Sequence, residues 1–237
     1  MPQPDLISQL CHRHFGIGAD GLIILNKEPG FDFGMRYFNS DGNESTMCGN
    51  GGRCIVAFAD YLSLAPFKSR FLSADGGHSG TILSRDGNTS LVRLSMNDVD
   101  SYTKRGDDFI LNTGSPHLVR FCDDVEKIDV IAEGRALRYE ADFQPGGINI
   151  NFIEEQKGHI FVRTYERGVE DETLSCGTGI TASSLAYAAL KGSEKGIVPV
   201  RTRGGNLSLS FRRKEKGFAE IYLEGPAARV YEGTINI

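Results

Sequence analysis

The chain has 237 residues, a formal net charge of −5 and 40% hydrophobic residues, which can supply one large or two small cores. Its 26 basic residues are scattered apart from short clusters, so the composition argues against a nucleic-acid-binding protein. No apolar run of about 18 residues could span a bilayer, and a signal-peptide pattern is absent, so we expect a cytoplasmic protein that does not bind membranes. Five cysteines without a Cys-x-x-Cys pair argue against a disulfide scaffold and against a metal site.

Residues 5 to 14 are predicted to form the first helix. The segment GIGADG at 16–21 matches the dinucleotide-binding pattern G-x-G-x-x-G. In nucleotide-binding proteins that pattern follows a strand and opens a helix, whereas here a helix precedes it and the apolar strand LIIL follows. We therefore predict a glycine turn between a helix and a strand rather than a nucleotide site.

A second helix is predicted from about Gly52 to Leu64, directly after the phrase TMCGNGGRC that contains Cys48. Its residues 54–59 are apolar on every side of the helix. A helix without a polar face is usually buried, so we expect this one to lie inside the protein.

Short segments of alternating apolar and polar residues make up much of the remaining chain. Alternation with a period of two is typical of half-buried antiparallel strands, and glycine-bearing turns separate the segments. The predicted strands cover residues 90–96, 159–165, 206–211 and 219–225.

A third helix is predicted from Gly179 to Leu190, and Gly192 is a plausible stop after it. It follows Cys176 in the phrase LSCGTGITA, which resembles the phrase around Cys48. The cysteines are 176 − 48 = 128 residues apart, about half the chain. This spacing predicts two similar units, each with strands wrapped around a central helix.

Each of the two thiols lies where a loop becomes a helix. Free backbone N–H groups and the positive end of the helix dipole favour both a thiolate and an anionic substrate group at that place. Inverting a carbon stereocentre requires a base on one face and an acid on the other, and two thiols in opposite protonation states supply both. We therefore expect no cofactor. The remaining cysteines, Cys11, Cys54 and Cys122, lack this setting and are interpreted as small hydrophobic residues.

Polar residues elsewhere could frame such a substrate. Asn39 lies in YFNSDG, Asn149 in GININ, and Arg167 after Glu166 could grip a carboxylate with two hydrogen bonds. Turn asparagines and surface ion pairs are the ordinary alternatives for these residues. For His117, after a proline and before an apolar strand, the alternative is a capping or core histidine.

Together, the motifs YFNSDGNESTMCGNGGRC, SPH, NINF, RTYERGVEDETLSCGTG and HRHFGIGADGL resemble the diaminopimelate epimerase family. The resemblance implies a cofactor-independent isomerase that interconverts LL- and meso-2,6-diaminopimelate for lysine and cell-wall synthesis. It implies that Cys48 and Cys176 transfer the proton and that His117 and Glu166 help to set the protonation of the thiols.

The same resemblance implies the substrate contacts, the fold and the assembly. The fold would be α/β (α+β), with two pseudo-symmetric domains, each a mostly antiparallel strand barrel around a central helix, in a homodimer. The domains would be 1–97 plus 225–237 and 98–224, with a C-terminal strand at about 225–237 that returns to the first domain. The implied substrate-binding residues are Asn39, Gly49, Asn50, Asn149, Glu166, Arg167, Gly177 and Thr178.

Two alternatives share this fold. Proline and hydroxyproline racemases also use paired thiols, but their first phrase typically reads Cys-Gly-His, whereas this chain has Asn50 after Cys48 and Gly49. The Arg167 element further favours a substrate with a distal charged end. Phenazine-type isomerases of this fold lack the cysteine pair and fit poorly.

The sequence also departs from the family pattern in two places. The family usually begins with a strand whose asparagine contacts substrate, whereas here residues 1–4 lead into the first helix. Ser115 stands where the family commonly has an asparagine before Pro-His. From these departures we expect weak or no activity, as in a truncated inactive homologue.

Overall fold

A computed structural model describes residues 2–45 and 47–235. The chain divides into two compact units: unit 1 comprises Met1–Leu94 with Pro226–Ile237, and unit 2 comprises Ser95–Gly225. The predicted domain boundaries, near residues 97 and 225, stay a prediction. Residues 1, 46, 236 and 237 lie outside the described part, and with them the far ends of the predicted first domain and of the predicted strand at 225–237.

Unit 1 begins with a short amphipathic helix that covers one face of a sheet. Its buried residues Ile7 and Cys11 pack with Phe38 of the second strand. The elements are α1 (Pro4–Cys11), β1 (Gly21–Asn26), β2 (Phe33–Asn39), β3 (Glu44–Ser45), α2 (Gly49–Tyr61), β4 (Lys68–Ser73), β5 (Gly76–Asp86) and β6 (Thr89–Ser95).

The strands of unit 1 follow the order β1-β2-β4-β5-β6, and β3 pairs with β2. All these pairs are antiparallel except β2 with β4, which run parallel. Parallel neighbours need a crossover connection, and α2 supplies it. The helix that follows Cys48 therefore connects two strands that pair with each other.

Unit 2 is built in the same manner with more strands. Its elements are β7 (Tyr102–Arg105), β8 (Asp108–Asn112), β9 (Pro116–Phe121), α3 (Val130–Arg138), β10 (Asn149–Gln156), β11 (His159–Glu166), β12 (Asp171–Thr173), α4 (Gly177–Lys191), β13 (Lys195–Thr202), β14 (Gly205–Arg213) and β15 (Phe218–Ala228), of which the last three residues belong to unit 1.

The strands of unit 2 follow the order β15-β14-β13-β11-β10-β9-β8-β7, and β12 pairs with β11. Two pairs are parallel, β9 with β10 and β11 with β13, and α3 and α4 lie in the respective crossovers. One buried cluster fills the space beneath α3. It contains Leu118, Val125, Val130, Leu137, Ile148, Ile150, Phe152, Phe161 and Tyr165.

The sequence β2-β3-Cys48-α2-β4 in unit 1 is repeated as β11-β12-Cys176-α4-β13 in unit 2. In each case a long strand pairs with a very short one, the cysteine follows, and the helix leads to a strand parallel to the first. The predicted duplication around the two cysteines is therefore present in the local topology. The mixed α/β class with a majority of antiparallel pairs is confirmed.

Several predicted elements are confirmed, with shifted ends. The four alternating segments are β6, β11, β14 and β15, and GIGADG forms the turn before β1. The predicted helix at 5–14 ends at Cys11, because His12 is extended and its ring nitrogen accepts the backbone N–H groups of the residues that follow. The predicted strand at 225–237 ends at Ala228, and residues 229–235 have no regular secondary structure.

The predicted helix starts were wrong by two or three residues. The prediction placed them at Gly52 and Gly179, but α2 begins at Gly49 and α4 at Gly177, directly after each cysteine. Glycine is a poor helix former, so local propensity delays the predicted start, whereas packing against the core decides the actual one.

The prediction that the second helix is buried all round was also wrong. Phe58 and Tyr61 of α2 are about half exposed, and Cys54 lies on the same exposed face. The opposite face, with Ile55, Val56 and Ala59, is buried. By contrast, α4 is buried over most of its length, as predicted. Within the described ranges no helix has both the length and the apolar character needed to cross a membrane.

The close contact between α2, the helix that follows Cys48, and β5 can be tested by a substitution in the strand. A Cβ atom at Gly80 of β5 would lie 2.3 Å from a methyl carbon of Val56 in α2. We expect Gly80→Ala to lower the free energy of unfolding by about 1–3 kcal/mol, because the helix has to move away from the strand. Urea denaturation measures this change.

Gly196→Ala is the matched control, since Gly196 is also a strand glycine and has open space where its Cβ would be. We expect its stability to equal or slightly exceed that of the unsubstituted chain. Equal stabilities of the Gly80 and Gly196 variants would contradict the close packing of α2 on β5.

Candidate functional site

Cys48 is the residue that precedes the first turn of α2. Its backbone is extended (φ −95°, ψ 132°) and its carbonyl accepts the N–H of Gly52 at 2.7 Å, the first hydrogen bond of the helix. The thiol is half-buried. N–H groups in the first turn of a helix have no partner within the helix, so the thiol lies beside donors that stabilise negative charge.

Glycines allow this turn to lie directly against the core of unit 1. A Cβ at Gly51 would lie 3.2 Å from Met35, and a Cβ at Gly52 would lie 2.7 Å from Leu94. Any larger residue at position 52 would push the helix start outward. The glycines after Cys48 are therefore needed for packing as well as for backbone access.

A buried arginine, Arg53, ties the same turn together. Its guanidinium donates to the carbonyl of Gly49 at 3.1 Å and to the side-chain oxygen of Asn50 at 2.9 Å. Burial lowers the pKa of Arg53, while the negative forms of the neighbouring thiols of Cys54 and Cys48 act in the opposite direction. Sequence reasoning missed Arg53, although it lies only five residues after Cys48.

The other predicted residues of unit 1 occupy different settings. Gly49 is buried at the start of α2, and Asn50 is half-buried with its amide oxygen held by Arg53. Asn39 lies at the end of β2, where its side chain is exposed and its backbone closes a turn with Gly42 and Asn43.

Cys176 has the matching place at the start of α4 in unit 2. It is 7% exposed and extended (φ −112°, ψ 114°), and its carbonyl accepts the N–H of Ile180 at 2.8 Å. Its sulfur lies 3.4 Å from the hydroxyl of Thr178. The backbone carbonyl of Thr178 in turn accepts the hydroxyl of Thr113 at 2.9 Å, and Gly177 is buried at the first helical position.

The carboxyl of Glu166 lies beside the thiol of Cys176. Burial raises the pKa of its carboxyl above the ordinary 4.5, while hydrogen bonds from the Thr173 hydroxyl and the Cys176 thiol act in the opposite direction. The Thr173 bond measures 2.9 Å. A carboxylate that accepts a hydrogen bond from a thiol is placed to take up its proton.

Asn149 connects the turn before β9 to the loop after β11. It is 3% exposed, donates to the Ser115 hydroxyl at 2.8 Å and to the Pro116 carbonyl at 2.9 Å, and accepts the N–H of Arg167 at 2.9 Å. The Arg167 guanidinium donates to Ser115 at 3.3 Å and to the carbonyl of Gly146 at 3.1 Å. Ser115 therefore holds both Asn149 and Arg167.

His117 is completely buried in β9, next to Leu118. Burial first, and the positive charge of Arg167 second, lower the pKa of its imidazole from 6.5 to about 3, while a hydrogen bond with Asn151 acts in the opposite direction. The ring is therefore neutral at physiological pH. Its Nε2 atom is buried and makes no hydrogen bond within the described part of the chain.

The structure thus joins the predicted residues of unit 2 into one polar group: Cys176, Gly177, Thr178, Glu166, Asn149, Arg167 and His117. Sequence reasoning missed Asn151 and Thr164, which are both buried and hydrogen-bonded to each other beside His117. In NINF and RTY these polar residues stand at strand positions that also fit a solvated face, so the sequence carried no distinct signal for them.

The burial of His117 predicts a pH dependence of stability. Because the pKa is about 6.5 in the unfolded chain and about 3 in the folded one, the unfolded state binds an extra proton between these values. The stability that a neutral His117 contributes is therefore present above about pH 6.5 and is lost as the pH falls. We expect the free energy of unfolding to fall more steeply with acidification in the unsubstituted chain than in His117→Gln, by up to about 1 kcal/mol per pH unit.

Urea denaturation between about pH 7 and pH 4 measures both slopes. His14→Gln is the control, because His14 is exposed and this substitution should keep the slope of the unsubstituted chain. Equal slopes in the unsubstituted chain and in His117→Gln would contradict a neutral, buried His117.

Solved structures of known proteins share this fold. A hydroxyproline epimerase from Agrobacterium vitis aligns with a TM-score of 0.69 and 14% identity, over 94% of this chain and 78% of its own. A phenazine biosynthesis protein of the PhzF family from Bacillus anthracis aligns with a TM-score of 0.68 and 14% identity, over 90% of this chain and 83% of its own. At this level of identity the likeness concerns the fold alone.

The sequence itself is similar to a narrower group. The family profile described as diaminopimelate epimerase matches residues 1–100 and 109–230. The diaminopimelate epimerase of Flavobacterium psychrophilum is 47% identical over 97% of this chain and 89% of its own length. That of Methanocella arvoryzae is 41% identical over 97% of this chain and 85% of its own. The resemblance found in the sequence motifs is confirmed, and the chain belongs to the diaminopimelate epimerase family of isomerases.

Proposed function

We propose that this protein interconverts LL- and meso-2,6-diaminopimelate by transferring a proton at the α-carbon between two thiols, those of Cys48 and Cys176. The proposal is carried by one observation: each thiol immediately precedes a helix, in a strand–cysteine–helix–strand arrangement that occurs once in each unit. Family membership indicates the substrate, and it favours an active enzyme over the inactive homologue that the departures from the family pattern suggest. The reaction belongs to lysine and peptidoglycan-precursor synthesis.

In this mechanism one cysteine acts as a thiolate that removes the α-proton, and the other acts as a thiol that returns a proton to the opposite face. The N–H groups at a helix start stabilise a thiolate, which is the form of cysteine that acts as a general base. Glu166 takes the thiol proton of Cys176 when that residue acts as the base. The hydrogen bond between their side chains supports this role.

The substrate carboxylate at the reacting carbon binds to N–H groups at the helix starts. These are the groups of Gly49 and Asn50 after Cys48 and of Gly177 and Thr178 after Cys176. These groups also stabilise the negative charge that develops as the proton leaves. Asn39 and Asn149 contribute further polar contacts to the substrate. Arg167 binds the distal charged end of diaminopimelate with its guanidinium, which Ser115 and Gly146 hold in place.

His117 contributes as a neutral ring. Its buried Nε2 atom is available to a thiol or to the substrate, and its low pKa keeps it from carrying a second positive charge beside Arg167. We further propose that the protein acts without a cofactor and as a homodimer. Sedimentation equilibrium would test the homodimer.

We also propose a cytoplasmic location, because the mechanism needs reduced thiols and the cytosol keeps thiols reduced.

Cysteine variants test the two-thiol mechanism. We expect Cys48→Ala and Cys176→Ala each to lower the rate of epimerisation of LL-diaminopimelate by at least about 10²-fold, because each removes one of the two proton-transfer groups. The conversion is measured in deuterium oxide, where the unsubstituted chain should place deuterium at the α-carbon of the product.

Cys54→Ala is the matched control, since Cys54 lies on the exposed face of α2 and has no part in the mechanism. It should keep the rate of the unsubstituted chain. Turnover near that rate in either Cys48→Ala or Cys176→Ala would contradict the mechanism.

Substrate choice separates this function from the racemisation of proline. We expect kcat/KM for LL-diaminopimelate to exceed that for L-proline by at least about 10²-fold, because a side chain without a distal charge leaves the Arg167 guanidinium unpaired. A coupled assay or chiral chromatography measures both reactions. A higher kcat/KM for L-proline would favour the racemase alternative instead.

A further inference from the structure

Asn151 is an asparagine in the middle of β10 that is completely shielded from solvent. Burying an amide is costly unless its donors and acceptor are satisfied. Its Nδ2 atom lies 3.0 Å from the carbonyl of Leu118 and 3.1 Å from Nδ1 of His117, and its Oδ1 atom lies 3.0 Å from the hydroxyl of Thr164. All these partners belong to unit 2 and are buried.

The partners fix which end of the amide is which. The backbone carbonyl of Leu118 can only accept a hydrogen bond, so the atom that faces it has to be the NH2 group of Asn151. The same NH2 group faces His117 Nδ1, which therefore accepts a hydrogen bond and carries no proton. A neutral imidazole with an unprotonated Nδ1 carries its proton on Nε2.

Close packing holds Asn151 in this orientation. A Cβ atom at Gly179 would lie 2.4 Å from Oδ1 of Asn151 and 3.3 Å from the Cβ of Cys176. The first turn of α4, which presents Cys176, is therefore built directly over the amide. Asn151 is in contact with the ring of His117 on one side and lies beneath the helix that carries the thiol on the other.

Among the described residues of this cluster, the Nε2–H of His117 alone lacks a partner. It is buried and makes no hydrogen bond to the described residues, whereas both ends of Asn151 are satisfied. An unpaired buried donor is destabilising, so its presence here calls for a functional explanation.

We propose that Asn151 is a positioning residue for epimerisation, which holds His117 in the tautomer that offers Nε2–H to the reacting groups. The statement about the tautomer stands on the geometry alone, while its use in catalysis rests on the proposed function. Asn151 itself does not touch the substrate. It acts through the histidine ring.

The tautomer is measured by two-bond ¹H–¹⁵N NMR of the uniformly labelled full chain, with the His117 signals assigned by their absence in His117→Gln. In the unsubstituted chain Nε2 should resonate as a protonated nitrogen and Nδ1 as an unprotonated one. A protonated Nδ1 would overturn the inference, and this measurement requires no variant at position 151.

Asn151→Asp reverses the hydrogen bond, because a carboxylate can only accept. We expect the proton to move to Nδ1 and kcat for LL-diaminopimelate to fall by about 10²-fold or more, with a smaller change in KM. Thr164→Val is the control for general disturbance of the cluster: it removes the partner of Oδ1 but leaves the NH2 group on Leu118, so the proton should stay on Nε2.

An unchanged tautomer in Asn151→Asp, or an equal shift of the proton in Thr164→Val, would overturn the role of Asn151. So would a kcat for Asn151→Asp equal to that of the unsubstituted chain. The ring signals are recorded without substrate, so they test the tautomer even if the chain fails to epimerise diaminopimelate. That failure would contradict the proposed function and the catalytic use, but not the tautomer.

Discussion

The position of each thiol depends on how closely the first turn of a helix can approach the core. In unit 1 a side chain at Gly52 would collide with Leu94, and in unit 2 a side chain at Gly179 would collide with Asn151. Glycine costs about 1 kcal/mol in a helix relative to alanine, so local helix propensity does not favour glycine at these two positions. The close packing offsets that cost, and it fixes the N–H groups of the turn beside the sulfur.

The hydrogen-bonded polar groups of unit 2 depend on the alternation of side-chain direction along β10. Asn149 and Asn151 are two residues apart, so their side chains lie on the same face of the strand. Asn149 holds Ser115 and the backbone of Arg167, while Asn151 holds His117 and Thr164. Two buried amides on one strand thus orient the arginine and the imidazole. Both ends of each amide are hydrogen-bonded, and breaking any one of these bonds would leave a buried group unpaired, so the two asparagine side chains are held rigidly.

Alternation and the two cysteine phrases predict several strands, both central helices and the candidate thiols, because each of these features depends on residues that are close in sequence. The helix starts were misplaced because the contacts of Gly52 and Gly179 are with residues distant in sequence. The exposure of Phe58 and Tyr61 could not be predicted from an apolar composition alone, since it depends on which face β5 covers. Arg53 and Asn151 were missed for the same reason: each is recognised only by the groups that surround it.

Cys48 and Cys176 have similar backbone surroundings, but the charged side chains near them differ. The guanidinium of Arg53, five residues after Cys48, is buried in the same helix start, whereas the carboxyl of Glu166 lies against the thiol of Cys176. A carboxyl that accepts a hydrogen bond from a thiol can take up its proton, whereas a guanidinium can only donate hydrogen bonds. A two-base inversion needs one group in each form at the start of a turnover. In the proposed mechanism the duplicated backbone supplies the two thiols, and Glu166 gives Cys176 a proton acceptor of its own.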